Sequence, residues 1–266
     1  MKDGSVTIGP RRKVRLIRTA MGDEPADTAV SHALLRRVSD GLEPETLRLY
    51  RPQRVVAFGP KDRLAPGYAA AVEAARSQGF GALDRLAGGR AAVFHEETIA
   101  FAWCIPDPSP RLTITERFEA LASIMTAAFR SLGVDARVGE VPGEYCPGEF
   151  SVNARGRTKL MGVGQRVVAH AAHVGGVVVV GGSDLVRDVL VPVYAHLGLE
   201  WDPATVGSLE DERAGISWAE ADRAIVGQFV ARHDLQETEG FSPETLSLAE
   251  KLRARHVVPM AAGRSS

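Results

Sequence analysis

The segment Val138-Gly139-Glu140-Val141-Pro142-Gly143-Glu144-Tyr145-Cys146-Pro147-Gly148 runs on to Arg157-Thr158-Lys159-Leu160-Met161-Gly162-Val163-Gly164-Gln165-Arg166 and closes on Val177-Val178-Val179-Val180. Two strand-like runs flank the turn Arg155-Gly156-Arg157. The pattern predicts a hairpin of 150–153 with 159–167, followed by a buried strand over 173–180. One thiol stands between a tyrosine and a Pro-Gly turn. A lone cysteine is usually a small buried hydrophobe, but a Tyr-Cys-Pro-Gly loop is an unusual place for a core residue and a common place for a working one. Lys159 opens an apolar, glycine-bearing strand. An amine there is partly desolvated, which favours its neutral form and makes it a candidate base. A cysteine on a tight loop, faced by an amine on a rigid strand, suits nucleophilic acyl transfer.

Working outward, 14–18 reads as a short strand and 27–37 as a helix. Ala29, Val30, Ala33, Leu34 and Leu35 fall at helical spacing there, with Asp27 as its cap. Strands are expected at 46–50 and 55–59, and an Ala-rich helix over 68–78, stopped by Gly79. Next comes Asp84-Arg85-Leu86-Ala87-Gly88-Gly89-Arg90. A Gly-Gly pair between two arginines lets backbone approach a ligand closely. The strand 91–95 is expected to form a hairpin with 99–105 across Glu96-Glu97. The clearest amphipathic helix is 115–132, with Phe118, Leu121, Ala122, Met125 and Phe129 on one face. A strand at 136–138 leads into the cysteine loop. A helix over 185–197 contains Pro192, which predicts a break or kink. A turn is expected at 208–212. Two helices end the chain: 217–233, opened by a Ser217–Glu220 capping box, and 242–256, with proline at its first position.

Length and composition narrow the class. The 266 residues are 45% hydrophobic and 24% charged, which describes an ordinary globular protein large enough to need no staples. A net charge of −1 predicts neither nucleic acid nor an anionic membrane as partner. No apolar run approaches the ~18 residues of a membrane-spanning helix. Two cysteines and an N-terminus without an apolar core point to a reducing cytosol. His95 and His173 read as ordinary edge histidines, and no Cys/His spacing fits zinc, so no metal is expected. Neither the dinucleotide fingerprint nor the P-loop pattern is present.

With these motifs in place the chain resembles the lipoate/biotin protein ligase superfamily. Arg85-Leu86-Ala87-Gly88-Gly89-Arg90-Ala91-Ala92-Val93-Phe94-His95 is similar to the family's Arg/Gly-Gly lipoyl-binding loop and following strand. Lys159 to Arg166 is similar to its lysine segment, and Asp27-Thr28-Ala29 with Ala33-Leu34-Leu35 to its first helix. Glu144-Tyr145-Cys146-Pro147-Gly148 resembles the loop of cysteine-dependent octanoyl/lipoyl amidotransferases. ATP-dependent ligases typically carry an Asn-Asp pair there and no cysteine. The arginine-glycine loop has two glycines and ends in Arg90, where many ligases have three.

The resemblance implies an α/β fold, with a mostly antiparallel central sheet flanked by helices and a small helical C-terminal extension. Its division would be a lead-in over 1–14, a catalytic domain over 15–204, the extension over 205–258 and a tail over 259–266. It also implies a transferase that moves an octanoyl or lipoyl group through a Cys146 thioester. Lys159 would hold the acyl carbonyl, shuttle a proton and favour the thiolate. Arg85, Gly88, Gly89, Arg90, His95, Gly162, Gly164 and Gln165 would bind substrate, with backbone N–H groups near Gly162 as oxyanion donors. The acyl tunnel would be lined by Val93, Val163 and neighbours from the hairpin. No cofactor is implied; ATP and magnesium enter only for the alternative, an ATP-dependent lipoate ligase. A non-catalytic acyl-binding protein is the other alternative. The implied partners are lipoyl-domain proteins: the glycine cleavage H protein and the acyltransferase subunits of 2-oxo acid dehydrogenases.

Overall fold

The computed structural model describes residues 11–259. Of the lead-in expected over 1–14, residues 1–10 lie outside the described residues and Lys13 and Val14 belong to the first strand; of the tail expected over 259–266, the part from Met260 on lies outside them. In chain order the elements are β1 (Lys13–Ile17), α1 (Glu24–Ser39), β2 (Thr46–Tyr50), β3 (Val55–Phe58), α2 (Tyr68–Ser77), β4 (Gly81–Asp84), β5 (Ala92–Phe94), β6 (Thr98–Pro106) and α3 (Ile114–Ser131). They continue with β7 (Ala136–Val138), β8 (Val152–Ala154), β9 (Thr158–Val167), β10 (Ala171–Val179), α4 (Ser183–Leu197), a 3-10 turn (Pro203–Thr205), α5 (Leu209–Glu212), α6 (Trp218–Val230), β11 (Asp234–Glu237) and α7 (Pro243–Arg253).

Eight strands form one sheet in the order β11-β1-β2-β6-β10-β9-β8-β7, and β4-β3-β5 form a second. In the large sheet β1 is parallel to both its neighbours, and all other pairings are antiparallel. The fold is mixed α/β, with a largely antiparallel sheet flanked by helices. Strands β6 and β10 sit at its centre because both are apolar on each face. From β6, Phe101 and Trp103 enter a core with Leu121, Met125 and Phe129 of α3 and with Ile225 and Phe229 of α6. On the other face Cys104 packs with Leu34, Leu35 and Val38 of α1. Helices α5 and α6 thus share the core of the large sheet, while α7 packs on α1 through Ala249 and Leu252 against Ala29, Val30 and Ala33.

The hairpin of β8 and β9 forms across Arg155 and Gly156, both at positive φ (56° and 71°). Strands β9 and β10 approach each other at glycines: a Cβ on Gly176 would lie 1.9 Å from the Gly162 carbonyl oxygen. The capping box of α6 is present, with Ser217 Oγ accepting from Glu220 N–H.

The structure corrects four expectations. Strand β5 does not pair with β6; it joins β3, while β6 pairs with β2 and β10. A fully apolar strand needs a neighbour on each side, and the tight turn closed by Thr98 N–H to His95 O carries the chain from one sheet to the other. Asp27 does not cap α1. The helix starts at Glu24, and Asp27 pairs with the buried Arg48 guanidinium at 2.7 Å. Helix α4 runs unbroken through Pro192. The carbonyl that proline leaves unpaired, Asp188 O, accepts from Gln78 Nε2 of the helix α2 C-cap at 3.3 Å. The turn at 208–212 is the short helix α5, with its own Ser208–Asp211 capping box. Strands β4 and β11 were not foreseen. Gly-Ala-Leu-Asp and Asp-Leu-Gln-Glu carry no readable alternation.

Candidate active site

The strands β7 and β8 form the base of a loop, 139–151, whose tip carries Cys146. Its backbone is closed by Gly139 N–H to Ser151 O, Glu144 N–H to Val141 O and Ser151 N–H to Gly148 O, each 2.9 Å. Cys146 lies at φ 43°, in the left-handed region. For a side-chain-bearing residue that conformation costs about 1–2 kcal/mol, so something must hold it. Cys146 N–H donates to Tyr194 Oη at 2.9 Å, and Tyr194 Oη donates to Ala91 O at 3.0 Å. Lys159 Nζ donates to Cys146 O at 2.7 Å.

This posture turns the sulfur toward the arginine-glycine loop. Sγ accepts from Arg90 N–H at 3.2 Å and faces Arg85 Nη1 at 3.7 Å. A backbone donor and a guanidinium thus converge on one half-buried sulfur. Gly89 makes the approach possible. Its φ is 111°, and a Cβ would sit 2.9 Å from both Sγ and Arg85 Nη1. Arg85 is fixed by its own Nη1 donating to Arg90 O at 2.9 Å. Asp62, fully buried, braces the loop through Arg90 Nη1 (3.3 Å) and Gly59 N–H (2.8 Å); burial raises its pKa above the ordinary carboxylate value.

Lys159 is buried on β9. Its ammonium donates to Glu144 Oε1 (2.9 Å), Tyr145 O (3.0 Å) and Cys146 O (2.7 Å), which occupies all three hydrogens. Tyr145 adds its ring face at 4.9 Å. The amine thus ties the carbonyls on both sides of the Cys146 α-carbon to the Glu144 carboxylate.

A mostly apolar pocket shares Arg85 with the thiol site. It is lined by Tyr50, Leu83, Ala87, Phe94, Phe101, Gly175 and Gly176 among others, and Arg85 stands both in its wall and against Sγ. Val93 and Val163 do not line it. Strand side chains alternate, so Val93 faces the core with α2 and α4 while Phe94 faces the pocket. Val163 packs against the core beneath the large sheet. The segments 85–95 and 158–167 are not adjacent strands, either. They belong to two sheets and meet face to face, where a Cβ on Gly164 would lie 3.1 Å from Gly88 O.

The structure therefore brings together Cys146, Lys159, Arg85, Gly88, Gly89, Arg90, Gly162 and Gly164, with Gly162 lying over the Lys159 side chain. Two expected residues are engaged elsewhere. Gln165 Oε1 accepts from Arg117 Nε and its Nε2 donates to Ile114 O, tying β9 to the start of α3. His95 is buried beside Gly182 at the start of α4, its Nδ1 accepting from Glu97 N–H, and burial lowers its pKa to about 4. His173 does line the pocket, and burial lowers its pKa to about 3, so it is neutral there. Cys104 is wholly buried, which pushes its thiol up to about 12, whereas Cys146 is half-buried. Glu144, Tyr194 and Asp62 were missed. Glu144 stands in the cysteine loop, but no pattern tells a buried carboxylate from a solvated one. Tyr194 reaches the Cys146 backbone N–H from a helix far along the chain.

The lipoyl protein ligase A/B catalytic domain model matches residues 25–230. Among curated proteins, octanoyl-[GcvH]:protein N-octanoyltransferases from Geobacillus kaustophilus and Anoxybacillus flavithermus are 27% and 28% identical, over 66% and 62% of this chain. Those matches span 62% and 59% of the relatives' own lengths. Among solved structures, a bi-partite lipoate protein ligase from Thermoplasma acidophilum superposes with a TM-score of 0.71 at 20% identity, covering 92% of this chain and 93% of that one. A lipoate-protein ligase A bound with ATP gives 0.67 at 19%, covering 92% and 95%. The structural likenesses carry the fold and the family match carries the kinship: this chain belongs to the lipoyl protein ligase A/B catalytic domain family.

Proposed function

We propose that the protein transfers an octanoyl or lipoyl group between lipoyl-domain proteins through a thioester on Cys146. The observation that carries this reading is the Cys146 sulfur, held between Arg90 N–H and the Arg85 guanidinium, which also forms part of the wall of a mostly apolar pocket. The names of the curated relatives supply the acyl group, and the glycine cleavage H protein is the donor they suggest.

In the first half-reaction the sulfur attacks the carbonyl carbon of an acyl-lysine amide. A C–S bond forms, the C–N bond breaks, and the thiol's proton leaves on the departing lysine amine. In the second, the lysine amine of an acceptor lipoyl domain attacks the thioester. A C–N bond forms, the C–S bond breaks, and the amine's proton returns to sulfur. One amide is exchanged for another, so the cycle needs no ATP. The donors beside the sulfur are placed to bind the oxygen of each tetrahedral intermediate, Arg90 N–H and Arg85 taking the role first assigned to backbone near Gly162. An octanoyl tail in the pocket adds up to several kcal/mol of binding, at about 0.8 kcal/mol per buried methylene.

The test is intact mass after mixing the protein with an octanoylated H protein and no ATP. Wild type should gain one octanoyl group, on Cys146, and pass it to an apo lipoyl domain; Cys146→Ser should do neither. A Cys146→Ser protein that still modifies the acceptor at near wild-type rate, or activity that requires ATP and magnesium, would replace this reading with a ligase.

A further inference from the structure

The carboxylate of Glu144 is buried inside the thiol loop and reaches both sides of Cys146. Its Oε2 accepts from Val141 N–H at 3.0 Å. Its Oε1 accepts from Gly148 N–H (3.1 Å), Ser151 Oγ (2.7 Å) and Lys159 Nζ (2.9 Å). Those donors lie before Cys146, after it, and on the neighbouring strand. The only cation among them is Lys159, whose remaining hydrogens grip the carbonyls of Tyr145 and Cys146. The two peptide units entering and leaving the nucleophile are thus tied to one ammonium, and that ammonium to one carboxylate. A residue at φ 43° stays there only while its surroundings over-determine it.

We infer that Glu144 is a positioning residue for the thiol, and that Lys159 serves the acylation step through its pair with Glu144 rather than as a proton acceptor. The inference rests on the thioester reading for its activity assay, but its geometry does not. Three facts favour it over a role in loop stability alone. The pair grips the two carbonyls that flank the Cys146 α-carbon. Its counterpart on the other side, Tyr194, holds the Cys146 N–H. The sulfur's donors come from a different loop, so a small rotation at Cys146 breaks both contacts at once.

The experiment compares wild type, Glu144→Gln, Lys159→Met and the double variant. Glu144→Gln keeps one acceptor oxygen and replaces the other by an NH2 group facing a donor. The double variant removes both buried charges together and so covers the case in which a single variant does not fold. One readout is the rate of Cys146 alkylation by iodoacetamide, which involves no acyl group. The other is kcat and KM for octanoyl-enzyme formation from the octanoylated H protein.

Glu144→Gln should slow alkylation and kcat by about tenfold or more while KM stays within about twofold. Adding Lys159→Met should cost less than about twofold further, because the two residues act as one unit. Alkylation and kcat within twofold of wild type in Glu144→Gln or in the double variant would overturn the inference. So would single losses that multiply in the double, or a Lys159→Met protein that alkylates normally and loses only acyl transfer. Wild type that alkylates but never becomes acylated would sink the transfer reading alone, and alkylation would still decide the role of Glu144.

Discussion

Replacing Tyr194 by phenylalanine removes one oxygen and isolates the link between the two loops of the site. The hydroxyl takes the Cys146 N–H and gives its proton to Ala91 O. Without it a donor and an acceptor are left in a buried place. Each lost bond is worth about 1 kcal/mol net, and an unsatisfied buried group costs about 1–3 kcal/mol. Opposing this, Cys146 is freed to leave its left-handed conformation, which returns about 1 kcal/mol. The balance is a loss of about 1–5 kcal/mol, or a melting temperature lower by roughly 2–4 °C per kcal/mol for a chain of this size. The larger effect should fall on the thiol, since relaxation carries Sγ away from Arg90 N–H and Arg85. Urea unfolding measures the first quantity and the rate of octanoyl-enzyme formation the second. A Tyr194→Phe protein with wild-type stability and wild-type acylation would refute the idea that this hydroxyl holds the nucleophile in place.

Gly89→Ala should fold and lose acyl transfer by about a hundredfold, because its Cβ would press on both Sγ and the Arg85 guanidinium at a φ that alanine resists; an active alanine variant by the mass assay would mean that the two loops can part. Cys104→Ser should keep transfer within about threefold, its thiol being buried in β6 away from the Cys146 loop, so loss of turnover in a well-folded Cys104→Ser protein would contradict the assignment of roles. Stability should fall as pH drops below about 6.5. Burial holds His32 and His95 at about 4 and His173 at about 3 in the folded chain, so the unfolded chain binds more protons through this range. Each contributes a slope that grows from about 0.7 kcal/mol per pH unit at pH 6.5 toward about 1.4 near pH 5. Asp27, Glu45, Asp62 and Asp84, all raised by burial, act oppositely, because the folded chain binds their protons first; the test runs over the window from 6.5 down to 5, where the unfolded chain's histidines titrate. Urea titrations showing flat stability over that window would count against buried neutral histidines.

Most helices and the β8–β9 hairpin were legible because they declare themselves locally, through apolar spacing, capping boxes and a positive-φ turn. Partner choice between strands was not. The run 91–95 looks like the mate of 99–105 by proximity, yet β6 is claimed on both sides by strands distant in sequence. The thiol, the lysine and the two-arginine loop were readable from residue type and glycine placement. What they do to one another was not, because the Lys159 ammonium is assigned by a carboxylate and two carbonyls that only the folded loop brings to it. The pocket wall was misjudged by one residue on β5, which in a strand is a whole face.

The parallel pairing of β1 with both β2 and β11 bears on how the chain is made. Register joins Lys13 to Asp234 and Leu16 to Glu237, so one flank of an early strand is satisfied only by a segment more than two hundred residues later. During synthesis β1 can dock on β2 long before its other neighbour leaves the ribosome. Throughout that interval its outer ladder of N–H and C=O groups is bare, and a nascent chain offers it to other nascent chains. The short, polar β11 is then a late-arriving cover for that edge, and a product cut before Asp234 should be recovered mainly from the insoluble fraction even with its thiol site encoded in full.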